Sequence, residues 1–166
     1  MAILDILVYP DPRLAQISSP VESFDDELLS FVFNLEETMR AGPPSVGIAA
    51  PQAGHFERII IVDVSSKPKT PNHGKLTLIN PKILYKQGSM IGREGCLSVP
   101  EYTGNVSRAE KITLQALNSE GRILNYAMEG FEARAVQHEI DHLDGLLFLD
   151  RLVSRRSSLF LRKSYK

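Results

Sequence analysis

The five residues His138-Glu139-Ile140-Asp141-His142 limit this chain more than any other stretch. On a helix, two imidazoles four positions apart lie on one face, close enough to grip a single metal ion. Glu139 is turned about a hundred degrees from His138, at about 3.6 residues per turn. That aims its carboxylate at water beside the ion instead of at the ion. The pattern reads as a rigid helix carrying two ligands and a general base for hydrolytic metal chemistry. The competing reading is a surface helix on which two histidines and two acids share no task.

A third ligand decides the class of site. A further histidine six residues past the second, after a glycine, would extend the motif. Gly145 is in place, but Phe148 holds the ligand position. A carboxylate from a later helix is also excluded, because no Asp or Glu follows Asp150. The third ligand is therefore expected upstream. Glu94-Gly95-Cys96-Leu97-Ser98 holds the only cysteine. A lone cysteine is most often a small buried hydrophobe, but beside a histidine pair it becomes the best candidate to complete a Cys96, His138, His142 set. Thiolate and imidazole suit Zn²⁺ or Fe²⁺, and three protein ligands leave one position for water. His55 and His73 compete for the role. Each lies in a stretch bearing Gly, Pro or Asn that reads as an exposed turn, and both are expected to be solvated.

The 166 residues, 43% hydrophobic and 23% charged, suit one globular domain with a real core. A net charge of −1 gives no reason to expect DNA or an acidic substrate. The start, Met1-Ala2-Ile3-Leu4-Asp5, lacks the basic region of a signal peptide, and no apolar run approaches membrane-spanning length. A single cysteine used as a ligand fits a reducing compartment, so the cytoplasm is the expected address.

Residues 23–41 read as an amphipathic helix, with Ser23 as its cap and Leu28, Leu29, Val32, Leu35 and Met39 as its core stripe. Gly42-Pro43-Pro44 stops it. Residues 59–64, 76–79, 82–85, 112–117 and 122–127 read as strands. The motif helix is expected over about 131–143, with Gly145 past its end. The expected fold is α+β: mixed or antiparallel sheets packed around a central C-terminal metal-binding helix, plus an N-terminal helix. Residues 1–150 form the expected catalytic domain, and 151–166 a basic tail carrying Arg151, Arg155, Arg156, Arg162, Lys163 and Lys166.

Three segments together resemble a known family. Val46-Gly47-Ile48-Ala49-Ala50-Pro51-Gln52, then Glu94 to Ser98, then Gln137 to His142 look like the three signature motifs of peptide deformylases, in order and with family-like separations. The likeness extends to Tyr9 to Leu14 and Arg58 to Asp63, and so runs to about residue 150. It implies removal of the formyl group from the N-terminal methionine of new polypeptides, releasing formate. It also implies Fe²⁺ as the working ion, with Zn²⁺ or Ni²⁺ able to occupy the same ligands.

From the residues alone, Gln52 and the backbone N–H of Leu97 are candidate donors for the oxyanion of a tetrahedral intermediate, and Glu139 for the proton transfers. The resemblance gives Gln52 that role. It further implies that substrate backbone lies along Val46 and Gly47 and near Gly95 as an added strand. The methionine side chain would fill a pocket of Val46, Phe131, Ala135 and the edge of His138. Gly47 is expected to leave room for substrate backbone. Glu94 is expected to pair with Arg108 and steady the Cys96 segment. Asp141 reads equally well as a group that orients a histidine or pairs with a neighbouring chain segment, and as a solvated acid.

Two positions depart from the commonest family pattern: Ser45 stands where a glycine is usual, and Arg93 replaces an acid. Both bear on which residues after methionine are favoured. The basic tail is a candidate contact for ribosomal RNA. The alternatives outside the family are a zincin-type metallopeptidase and a non-catalytic, metal-stabilised binding module.

Overall fold

A computed structural model describes residues 3–67 and 69–162. It contains two α-helices and eight strands. These are α1 (Asp26–Ala41), β1 (Gly47–Ala49), β2 (Ile59–Val62), β3 (Leu76–Gln87), β4 (Met90–Cys96), β5 (Val99–Arg108), β6 (Lys111–Leu117), β7 (Ile123–Glu129), α2 (Gly130–Leu143) and β8 (Leu159–Leu161). A five-stranded sheet has the order β1-β2-β3-β6-β7, a three-stranded sheet the order β4-β5-β8, and every strand pairing is antiparallel. The fold is the expected α+β. No helix among the described residues is long and apolar enough to cross a membrane.

The run Ile59-Ile60-Ile61-Val62 explains how the layers stack. Side chains alternate across a strand, and all four are fully buried. Ile60 and Val62 pack with Leu78, Leu114 and, from α2, Val136, Ile140 and Leu143. Ile59 and Ile61 pack with Leu35 and Met39 of α1. The large sheet is thus covered by a helix on each face, and α2 is fixed against its centre. A third cluster joins Cys96, Val99 and Val106 of the small sheet to Leu147 and Phe148 just past α2.

Helix α1 begins at Asp26, and its cap is Asp25, whose carboxylate accepts from the Leu28 N–H at 3.0 Å. Ser23 is not the cap: Asp25, Asp26 and Glu27 set anionic groups against the helix N-terminus, where the macrodipole favours them. Leu29 leaves the expected core stripe and is 48% exposed. The expected strands 76–79 and 82–85 are one strand, β3, carried through Pro81 by irregular pairing with β6.

Helix α2 is entered through Gly130 at φ +62°, a left-handed conformation that favours glycine. It is buried from Glu132 to Leu143, so its polar side chains must find partners inside the protein. The chain after residue 150 is tied into the domain. Strand β8 pairs with Tyr102–Gly104 of β5, and Leu152 bridges to Val106. Lys163 and Lys166 lie outside the described residues.

Candidate metal centre and active site

Helix α2 presents His138 and His142 one turn apart, with ring centroids separated by 5.1 Å. Strand β4 ends at Cys96 and delivers its sulfur to the same point, 3.3 Å from His142 Nε2. One donor atom from each of the three residues lies within 4.8 Å of the other two, and all three residues are buried. His55 and His73 are elsewhere, and neither is simply solvated. His55 stacks on Phe31 and lies 2.5 Å from Glu57. His73 Nδ1 lies 2.6 Å from the buried Glu132.

His138 is oriented by Glu94, whose Oε1 is 2.8 Å from Nδ1, leaving Nε2 as the ring atom for the centre. Glu94 is in turn clamped by two guanidinium groups. Arg108 donates to it from two nitrogens, at 2.7 and 2.9 Å, and Arg134 donates at 2.6 Å. Arg108 also donates to Asp141 at 2.8 Å, and Arg151 reaches Asp141 from outside at 3.1 Å. The solvated reading of Asp141 therefore fails: it is 7% exposed and joins an alternating row of charges behind the ligands. The Glu94–Arg108 pair is equally internal, unlike a weak surface ion pair. Burial alone would raise the Glu94 pKa, but hydrogen bonds from His138 and Arg108 hold it well below the ordinary carboxylate range.

Gln52 lies in a tight 3₁₀ turn after β1 and is 1% exposed, which excludes a surface amide. Its Oε1 accepts from the Ala49 N–H at 2.9 Å, so Nε2 must face inward. That nitrogen donates to Ser98 Oγ at 3.1 Å and is 3.5 Å from the Cys96 sulfur. Leu97, directly after Cys96, borders the same cavity.

Glu139 is buried, and among the described residues its Oε1 has no hydrogen-bond partner. Burial, against the opposing pull of His138, raises its pKa to about 7. Gly47 faces this carboxylate directly. A Cβ at residue 47 would come within 2.6 Å of Glu139 Oε2 and 3.0 Å of Cγ and Cδ. A side chain at residue 47 would therefore press on the protein's own general-base candidate, a contact separate from any with substrate.

These groups open onto a cavity of about 200 Å³. Val46, Phe131 and Ala135 form part of its wall, together with Gly47, Gly95 and His138. Three further side chains border it that the motifs did not announce: Lys67, Arg134 and Arg162. Arg134 carries a readable signal, lying four residues before His138 and so on the same helix face. Lys67 and Arg162 carry none, because loop and chain-end residues reach the cavity only through tertiary structure.

The donor set fits a divalent cation. A thiol and two imidazoles converge in a buried space, with the Glu139 carboxylate beside them and Glu94 behind His138. Burial pulls His138 down, yet Glu139, Cys96 and Glu94 outweigh it and raise its pKa well above the ordinary range. Burial and the charge on His138 push His142 well below it. The unsatisfied Glu139 oxygen points to water or substrate at the same place.

Comparison with known proteins agrees. The model of the family described as polypeptide deformylase matches residues 3–158. A peptide deformylase of Alkalilimnicola ehrlichii is 44% identical, over 100% of this chain and 91% of its own. One from Syntrophobacter fumaroxidans is 42% identical, over 98% and 94%. Among solved structures, a peptide deformylase from Legionella pneumophila superposes with a TM-score of 0.83 at 39% identity, covering 93% of this chain and 89% of that one. An Acinetobacter baumannii peptide deformylase bound to Met-Ala-Ser gives 0.83 at 36% identity, over 91% and 99%.

Proposed function

The chain belongs to the polypeptide deformylase family, and from that premise we propose how its own residues carry out the reaction. It is a metal-dependent hydrolase that removes the formyl group from the N-terminal methionine of newly made polypeptides. One observation carries the assignment of roles: Glu139 places a buried carboxylate oxygen, without a hydrogen-bond partner among the described residues, next to the ligand candidate His138.

Those three residues would hold a divalent ion, which supplies Lewis acidity toward water and the formyl oxygen. Glu139 accepts the proton of the attacking water and delivers it to the methionine nitrogen as the C–N bond breaks. Formate and a free amine result. Gln52 Nε2 and the Leu97 N–H donate to the oxygen on which charge develops. Strand β1 is the outer strand of the large sheet, so one side of Val46 and Gly47 is open to an added peptide strand. Gly95 flanks the opposite side. Such main-chain pairing is blind to sequence and suits nascent chains of every kind. Phe131, Ala135 and Val46 offer the apolar wall for methionine.

Iron as Fe²⁺ is the ion we assign, with Zn²⁺ or Ni²⁺ able to replace it in the same thiolate and imidazole set. We place the work in the cytoplasm, where Cys96 stays reduced. Ribosome contact would fall to Arg155 and Arg156, since Arg151 is held by Asp141 and Arg162 reaches the cavity. Structural zinc sites are usually closed by four ligands, and the three found among the described residues argue against a non-catalytic binding module.

The test is formate release from a formyl-methionyl peptide by anaerobically purified protein, alongside metal analysis. Glu139→Ala is expected to abolish release with metal content retained. Loss of metal with the carboxylate would make Glu139 structural and overturn its role as base.

A further inference from the structure

Cys96 and the two histidines come from different elements, so the donor set forms only where β4 and α2 hold a fixed alignment. Strand β4 is an outer strand of the small sheet, and its pairing with β5 is irregular between Glu94 and Cys96. The ladder does not by itself set where the Cys96 sulfur stands. The apolar cluster that holds Cys96 is built from β5 and from the chain just past α2. Two polar ties from α2, Asp141 to Arg108 and Gln137 to Ala109, end on β5 or just past it.

Arg134 reaches β4 itself. It lies on α2 one turn before His138 and is 3% exposed. Its Nη1 donates to Glu94 Oε2 at 2.6 Å and to Val106 O at 3.1 Å, and its Nη2 donates to Met90 O at 2.7 Å. One guanidinium thus grips the first residue of β4, the carboxylate two positions before Cys96, and the neighbouring strand β5. Gly92, between the two grips on β4, lies against the same group. A Cβ there would stand 3.0 Å from Cζ and 3.1 Å from Nε. A planar fork can meet acceptors on several sides at once, whereas lysine brings a single nitrogen.

We propose that Arg134 is a positioning residue for the metal centre: by locking β4 to α2 it sets the Cys96 sulfur against the two imidazoles. This deepens the proposed function and rests on its ligand set. Arg134 touches neither ion nor substrate, and acts through Glu94 and the backbone of β4. Groups that orient ligands in this way typically carry about 10–100-fold of metal affinity.

The experiment uses the full chain loaded with Co²⁺, whose thiolate charge-transfer and ligand-field absorption report sulfur bonding and coordination geometry. Loss of Co²⁺ to a competing chelator gives the affinity, and circular dichroism confirms folding. Arg134→Gln and Arg134→Lys should each bind Co²⁺ about 10–100-fold more weakly and show a diminished thiolate band. Gly92→Ala presses on the guanidinium without removing any donor or ligand. It should move affinity and spectrum in the same direction, and should add nothing in the Arg134→Gln background. Parent-like affinity and absorption in Arg134→Gln, or full rescue by lysine, overturns the role. Should the Arg134 variants fail to fold, Gly92→Ala decides, and an unchanged thiolate band overturns the role there too. A parent protein without the thiolate band brings down the ligand set and this proposal together; a parent with the band and unchanged variants leaves the ligand set standing alone.

Discussion

Replacing Gly47 by alanine tests the tightest contact in the centre. The added Cβ would lie 2.6 Å from Glu139 Oε2 and 3.0 Å from Cγ and Cδ, whereas carbon contacts settle at about 3.5–4 Å. The carboxylate must retreat by about 1 Å, or β1 must shift against β2. Displacement of a reacting group by that much costs on the order of 10²-fold in rate, and forcing one methyl group into a packed site costs about 1–3 kcal/mol of stability. A thermodynamic cycle separates this cause from a clash with substrate. In the free, metal-loaded protein, Gly47→Ala should lower stability to denaturant. In a Glu139→Ala background, where the facing carboxylate is gone, the same substitution should be nearly neutral. The formate assay should show kcat reduced about a hundredfold with metal content unchanged. Near-normal kcat, or an equal stability loss in both backgrounds, would refute the reasoning and leave the substrate backbone as the reason for glycine.

Glu139→Gln should change how stability of the metal-free protein depends on pH. The folded pKa of about 7 lies above the ordinary 4.5, so the folded state keeps a proton that the unfolded chain releases. Folding is penalised progressively as pH rises from 4.5 to 7, by about 3 kcal/mol once the change is complete. Denaturant titrations should find the glutamine variant gaining on the parent at pH 8 but not at pH 4, and parallel pH profiles would contradict this. Glu94 works in the opposite direction. Its depressed pKa gives stability that is present above the ordinary 4.5 and is lost as pH falls below it. Glu94→Gln should cost about 3–5 kcal/mol at pH 7, by leaving buried guanidinium groups short of their partner, and should flatten the acid limb of the unfolding profile. Gln52→Ala should lower kcat by about 10²–10³ with bound metal unchanged. A loss of metal instead would assign Gln52 to holding Cys96.

What could be read from the residues follows from how local each signal is. Helix α2 was legible because its apolar and liganding positions repeat at helical spacing, and because glycines mark both ends. Strand β2 was legible as four β-branched residues in a row. Strands β4 and β5 were not. Segments such as Gly92-Arg93-Glu94 and Tyr102-Thr103-Gly104-Asn105 carry little apolar alternation, and their order comes from pairing with each other and with β8. The Glu94–Arg108 pair could be anticipated from charge. That Arg134, Asp141 and Arg151 share one network with it could not, since β4, β5, α2 and the turn at 148–151 meet only after the small sheet closes on α2. Gly47 shows the same limit in reverse: the residue was singled out, but the atom a side chain there would meet first belongs to a helix more than eighty positions away.

The three-residue strand β8 has a practical corollary for anyone handling this molecule. The groove beside Cys96 is bordered by Arg162, just past this strand, so an alteration near residue 160 reaches the catalytic vestibule, however remote it looks on a linear map. Kinetics gathered on protein altered there would describe a differently furnished entrance.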